Sequence, residues 1–418
     1  MSAIAAYRSL LRLSGLPYLT ANFLARLPLA MSQIGVLLLV SDLTGSYGAG
    51  GACAGALAVA SGLGAPLWGA LADRRGQRPV LLVQSLGAAA SYVLLLVVAH
   101  SGATWGLTAA ASALTGFLIP QVGPMSRVRW RPLTESQPYQ ERLVGTAFSA
   151  EGAADEATFV LGPTLVGLAV AVLNPTAALA TAAVLLAIFG TLFAIHPSAT
   201  PGHSVVRAQV ADAGRLLSVP LILLCASQLV IGTVFGSVQT GTSVLATAAG
   251  QPELTGFMHA LLGVGSVVAG LAVAALPARF ALESRLRVFS LALLLLAAPL
   301  LLVDSLGVLV LVLVPLGFSV APYMITTFSI GERITPVWRT GTAMTLIAAA
   351  TTLGYALGSS VAGQLADHGG HQPAYAVTVA ACVVGVLLSW AGGARLRRAL
   401  ADADHTAAPD QQLVGASA

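Results

Sequence analysis

Twelve long apolar runs succeed one another along this chain, and each is long enough to cross a bilayer. A spanning helix needs about 20 predominantly apolar residues. The runs cover 16–40, 48–71, 79–99, 104–126, 143–172, 175–196, 216–245, 254–277, 287–303, 306–329, 340–365 and 372–394. Only 9% of the 418 residues are charged and 56% are hydrophobic. Soluble proteins carry about 25% charged residues, so a soluble enzyme, a disordered chain and a nucleic-acid binder are excluded. The first run follows Arg8 and Arg12, exceeds the length of a signal-peptide core and has no small-residue cleavage site after it, so it reads as the first span.

The basic residues orient these spans. All 20 are Arg, and Lys is absent. Nineteen fall in the segments on one side, among them Arg74, Arg75, Arg78, Arg127, Arg129, Arg131 and Arg142; the opposite loops hold none. The positive-inside rule then places both termini in the cytoplasm, in a multi-pass inner (plasma) membrane protein. The remaining one, Arg26, lies within span 1.

The chain also repeats itself. Gly145-Thr146-Ala147 opens span 5 and Gly341-Thr342-Ala343 opens span 11, an offset of 196 that also relates Leu161-Gly162 to Leu357-Gly358 and Gly167 to Gly363. Span 2 has Gly64 and Gly69, and span 8 has Gly265 and Gly270, at the same five-residue step. Small residues let membrane helices approach closely, and a five-residue step turns a helix by about 140°, so the two glycines of each pair should meet different neighbours. Pro163, beside Gly162, is expected to bend span 5. The predicted architecture is an all-α membrane protein of twelve transmembrane helices in two pseudo-symmetric halves, 1–198 and 216–396. A cytoplasmic linker is expected over 199–215 and a disordered tail over 397–418.

Between spans 2 and 3 the sequence reads Gly69-Ala-Leu-Ala-Asp73-Arg74-Arg75-Gly76-Gln77-Arg78. With the span count and the repeat, this stretch resembles the loop motif of the major facilitator superfamily, departing from it at Gln77, where the family has a basic residue. The resemblance implies that Gly69, Asp73, Arg74, Gly76 and Arg78 form a loop that latches the two halves, with Asp73 near a helix N-terminus. Gly162-Pro163-Thr-Leu-Val-Gly167 partly resembles the Gly-Pro signature of the family's antiporters, with Val166 in place of a glycine, and leans toward export. The span 4 Arg and Gln-Gly of the family's drug/proton antiporters are missing from Ser112-Ala-Leu-Thr115-Gly116, so that proton relay is not carried over.

Ionisable residues inside spans are costly and mark function by default. Four qualify: Arg26 in span 1 and Glu151, Asp155 and Glu156 in span 5. Arg26 and Asp155 lie at similar depth, at about 1.5 Å of rise per residue, so Arg26 is predicted to pair with Asp155 or Glu156. Glu151 sits nearest the cytoplasm. Three acids against one base leave an acidic excess, and at least one acid is expected to carry protons. The competing reading is a fixed strut between helices, or a helix-end position for Glu151. Adding 196 to Asp155 and Glu156 gives Thr351 and Thr352, so coupling is expected in the first half alone.

Polar stripes suggest a cavity lining of Asn22 and Gln33 in span 1, Gln228, Phe235 and Gln239 in span 7, Tyr323 in span 10 and Tyr355 in span 11. Interhelical hydrogen bonding is the competing reading for any single Gln. His259 is placed at the outer interface, Trp130 and Trp338 in cytoplasmic loops as interface anchors, and His368 and His371 in an exposed outer turn. Cys53, Cys225 and Cys382 have no metal or disulfide spacing. No catalytic constellation, cofactor motif or metal set is visible. The expected partners are the lipid bilayer, protons and a small-molecule substrate, with no nucleic acid, and the chain reads as a monomer. The sequence thus suggests a proton-coupled transporter, exporting a small organic molecule by alternating access. An importer of a neutral solute such as a sugar and a lipid flippase are the alternatives.

Overall fold

The computed structural model describes residues 2–202, 218–251, 254–277 and 279–415. Among the described residues, twelve helical spans are long and apolar enough to cross a membrane: Ala3–Thr44, Ala49–Arg75, Gln77–His100, Trp105–Leu133, Gln140–Val172, Pro175–Ile195, Val219–Ala248, Leu254–Ala275, Leu282–Leu302, Leu306–Ile334, Val337–Ala366 and His371–Ala403. No strand occurs among the described residues. We call the side where span 1 begins the terminal face and the opposite side the far face.

Helix starts carry the side chains that this role demands. Ser46 and Ser218 accept hydrogen bonds from Ala49 N and Leu221 N at the heads of spans 2 and 7. Most of the expected linker, 203–215, lies outside the described residues. The last helix runs from His371 to Gly415.

Two spans are broken. Span 1 consists of Ala3–Leu24, kinked at Gly15 where φ is 75°, and Leu27–Thr44, with Arg26 at the cap between them. Pro28, one residue into the second helix, has no N–H to donate back across the break. Span 4 consists of Trp105–Leu118 and Val122–Leu133, separated around Pro120. Span 4 therefore extends beyond its predicted end at 126 and carries Arg127, Arg129 and Trp130 on a buried helix. Pro163, by contrast, sits within the unbroken helix Gln140–Val172.

The halves meet along two seams, span 2 on span 11 and span 5 on span 8. Gly69 of span 2 explains the closeness of the first seam, while Gly64 and the span 8 pair pack first within their own halves. A Cβ on Gly69 would stand 2.8 Å from Gly341 O, and one on Gly64 would stand 2.8 Å from the Phe117 ring. A Cβ on Gly265 would meet Val314 O at 2.6 Å, and one on Gly270 would meet Ala321 Cβ at 3.2 Å. The span 2 pair does face two neighbours, spans 4 and 11, whereas both span 8 glycines pack first on span 10, with Ala153 N of span 5 at 3.5 Å from a Cβ on Gly270. In spans 5 and 11 only one glycine of each pair is used: Gly162 packs on Ala30 and Gly358 on Thr233, while Gly167 and Gly363 face open space.

Candidate functional site

A cavity of about 190 Å³ lies between the halves, lined by both helix breaks and by spans 5, 7, 8, 10 and 11. Its walls lie from mid-span toward the far face. At the terminal face the halves are held together. Asp73 accepts from Gly341 N at 2.9 Å, Thr342 N at 2.8 Å and Thr342 Oγ1 at 2.6 Å, so its carboxylate caps the start of span 11. Arg131 of span 4 pairs with Glu332 of span 10, and Glu141 of span 5 pairs with Arg333 at 2.9 Å. These contacts close the terminal end of the cavity.

Of the loop-motif residues, Gly69 and Asp73 meet the start of span 11 in the other half, while Gly76 packs on Gly202. Gly76 adopts φ +87°, a left-handed conformation open to glycine, and its missing Cβ would lie 3.0 Å from Gly202 N. Arg74 and Arg78 are exposed. The departure at Gln77 has a cause. Gln77 is buried, its Oε1 accepts from Arg129 Nε at 2.7 Å and its Nε2 donates to Met125 O at 3.1 Å. A basic residue there would face a buried guanidinium.

The mid-membrane charges form one cluster. Arg26 donates from Nη1 to Asp155 Oδ1 at 2.7 Å and from Nη2 to Glu151. Asp155 also takes Arg127 Nη2 at 2.8 Å. Glu151 is the most fully satisfied of the acids. Besides Arg26 it accepts from Ser126 Oγ at 2.6 Å, Trp130 Nε1 at 2.7 Å and Asn22 Nδ2 at 3.2 Å. Glu151 thus ties spans 1, 4 and 5 together, and it is 2% exposed. This is the strut the sequence allowed for, but at mid-membrane rather than at a helix end.

Arg26 therefore pairs with Glu151 and Asp155, not with Glu156. Glu156 lies about 100° around the helix from Asp155 and faces the cavity. It forms no ion pair among the described residues, and its buried Oε1 accepts no hydrogen bond there. Ser266 of span 8 stands beside it. The predicted excess of two negative charges shrinks to one, because Arg127 supplies a second cation, and the acid left over is Glu156.

Arg127 was assigned by its sequence position to a cytoplasmic loop, and the structure corrects this. Its side chain is fully buried, with the guanidinium 4.2 Å over the Phe328 ring. The charge pair needs Gly123 below it, since a Cβ there would stand 2.8 Å from Asp155 Oδ1 and 3.3 Å from Arg127 Nη1. Trp130 is likewise no interface anchor, being 1% exposed and bonded to Glu151.

Of the expected lining residues, Gln33, Phe235, Gln239 and Tyr355 face the cavity, and the Tyr355 hydroxyl donates to Gln239 Oε1. Asn22 serves the charge cluster instead, bridging Arg26 and Glu151. Gln228 and Tyr323 are fully buried inside the second half, away from the cavity. His259 is a cavity residue rather than an interfacial one, set 6.3 Å from the Phe235 ring with Nδ1 buried and unbonded among the described residues. Thr351 and Thr352, the repeat counterparts of Asp155 and Glu156, line the same cavity. Each repeat therefore presents the same helix face to one shared space, and only the first arms it with carboxylates.

The comparisons with known proteins agree with this architecture. No curated protein matches the chain by sequence. The crystal structure of the human organic anion transporter MFSD10 (TETRAN) is similar with a TM-score of 0.68 and 20% identity, covering 89% of this chain and 99% of that one. A bacterial homologue of the iron transporter ferroportin, in an outward-facing state, is similar with a TM-score of 0.69 and 16% identity, covering 89% of this chain and 97% of that one. At such identities the likeness shows the fold. The sequence model of the Major Facilitator Superfamily matches residues 18–331 and 224–409. The matched stretches take in most of the chain, which belongs to that superfamily and is a multi-pass membrane transporter.

Proposed function

We propose that this transporter couples the movement of protons to export of a small, largely apolar organic molecule through the plasma membrane. One observation carries the reading: Glu156 is the carboxylate of the cluster without a cationic partner, and it lines the cavity between the halves. Holding an unpaired carboxylate ionised in a low-dielectric site costs several kcal/mol, so such a group takes a proton when water withdraws. Alternating access exposes it to each side in turn. Glu151 and Asp155 do not share this role, because each is already engaged by arginine. They position Arg26 and Arg127.

The cavity walls favour an organic solute with aromatic or aliphatic surface. Phe159, Phe235, Phe328 and Tyr355 supply stacking faces, while Gln33 and Gln239 supply a few hydrogen-bonding groups. Export as the preferred direction rests on the partial Gly-Pro resemblance in span 5.

The test uses proteoliposomes loaded with the pH dye pyranine and challenged with a panel of amphipathic organic compounds. Compounds that drive proton flux through the wild type should lose at least tenfold of it with Glu156→Gln. Glu156→Gln keeping the full dependence on the pH gradient sinks the proton assignment. Cells expressing the chain should survive some of the same compounds at higher doses, and an unchanged susceptibility profile points to uptake instead.

A further inference from the structure

The terminal end of the seam between spans 5 and 8 holds a second cavity, of about 540 Å³. Its lining comes from the start of span 5, the turn joining spans 8 and 9, and the end of span 10. Spans 1, 4, 7 and 11 contribute nothing to it, so it lies beside the route through the central cavity rather than on it.

Its two ends differ in chemistry. Arg142, Arg285 and Arg333 stand at the rim, and Val144, Phe148 and Ile325 lie deeper. From Arg333 back to Ile325 is eight residues of helix, about 12 Å of depth. The rim acids are already engaged: Glu141 by Arg131 and Arg333, and Glu332 by Arg131. Arg142 and Arg285 form no ion pair among the described residues. The Arg142 Nε is buried and donates no hydrogen bond there. Arg285 is held in place by Phe280 O at 2.7 Å and Pro277 O at 3.0 Å, with Arg333 near it as a like charge. Tyr139, at the same rim, is 68% exposed, as suits an aromatic ring at a membrane–water boundary.

The repeat shows what is missing here. The offset of 201 that relates Gly64 and Gly69 to Gly265 and Gly270 carries Asp73 onto Ala274. The offset of 196 carries Gly341 and Thr342 onto Gly145 and Thr146. Ala274, Gly145 and Thr146 all line this cavity. It therefore occupies the place of the Asp73 latch in the other seam, with the carboxylate deleted and unpaired guanidinium groups left behind.

We infer that this cavity binds one anionic phospholipid, its phosphate between Arg142 and Arg285 and an acyl chain against Phe148 and Ile325. A free phosphate would satisfy the rim alone; the apolar depth requires hydrocarbon. The bound lipid bridges span 5 of one half and spans 9 and 10 of the other, and so braces the closed terminal face.

The purified full-length chain in nanodiscs provides the test. Adding phosphatidylglycerol to phosphatidylcholine discs should raise Tm by several degrees. Arg142→Gln and Arg285→Gln should each lose most of that rise, and inorganic phosphate should give none. Native mass spectrometry of the wild type should retain one phosphatidylglycerol at energies that strip phosphatidylcholine. Equal stabilisation by the two lipids, a full shift in both variants, or no retained lipid on the wild type overturns the inference. A shift reproduced by inorganic phosphate also overturns it, in favour of a soluble anion.

Discussion

The two seams that join the halves are built from equivalent parts and closed by different means. Along spans 2 and 11, a carboxylate crosses from one half to the start of a helix in the other, and three hydrogen bonds to Asp73 hold it. Along spans 5 and 8 that carboxylate is Ala274, the helix already begins at Gln140 ahead of Gly145 whereas that of span 11 begins at Thr340 beside Gly341, and a cavity remains. The ion pairs of Glu141 and Glu332 close this second side from its edge. The repeat thus sets where the halves touch, while individual side chains set how firmly. A transporter that must open and reclose one face gains from seams of unequal strength, because the weaker one can part first.

The largest effect should come from breaking the firm seam. Asp73→Asn keeps the shape but removes the charge from three hydrogen bonds, and charge-assisted bonds are worth roughly 1.5–3 kcal/mol each. With one acceptor retained, the closed terminal face should lose about 2 kcal/mol relative to the open one, roughly thirtyfold in their ratio. Two cysteine reporters can read this once Cys53, Cys225 and Cys382 are replaced. Phe159→Cys lines the central cavity, and Thr345→Cys lies fully buried under Gly69. Maleimide labelling should fall at the first and rise at the second. Unchanged labelling at both would show that the latch is not what holds this face.

A smaller effect should come from making the seams alike. Ala274→Asp places a carboxylate among Arg142, Arg285 and Arg333. A partly exposed pair of this kind contributes about 1 kcal/mol. In the Asp73→Asn background, Ala274→Asp should therefore recover around fivefold of the lost ratio on the same two reporters. Failure to recover any would mean that the seams are equivalent in sequence register but not in energy.

How much of this was legible in the sequence follows from the distance over which each cause acts. Span number, repeat and latch were readable because apolar length, glycine spacing and the Asp73 loop are local patterns. Arg26 and the span 5 acids stood out because a charge in an apolar run is anomalous by itself. Arg127 did not, because it follows a helix end set by composition, and nothing local showed that span 4 restarts after Pro120, runs on to Leu133 and buries Arg127, Arg129 and Trp130. The pairing of Arg26 was half legible for a related reason. Helix depth alone put Arg26 near Asp155, but the partner it shares with Asn22, Ser126 and Trp130 depends on three helices meeting. Gln228 and Tyr323 carried a cavity signal because a polar stripe on a helix looks the same whether it faces water or another helix.

The smallest effect separates glycines that make the seams from glycines that merely fall in the pattern. Gly162 and Gly358 abut backbone atoms of neighbouring helices, whereas Gly167 and Gly363, at the ends of the same two motifs, have nothing within 4 Å. An added methyl at the latter pair meets no atom, and exchanging Gly for Ala inside a helix is favourable by roughly 0.5–1 kcal/mol. Gly167→Ala and Gly363→Ala should therefore leave transport unchanged and raise Tm by a degree or two. Gly358→Ala should lower Tm by several degrees, because Thr233 Cα would stand 2.7 Å from the new methyl and backbone cannot rotate aside. If Gly167→Ala proved as damaging as Gly358→Ala, both ends of the motif would carry packing, and the equivalence suggested by the sequence would hold in another conformation of the cycle.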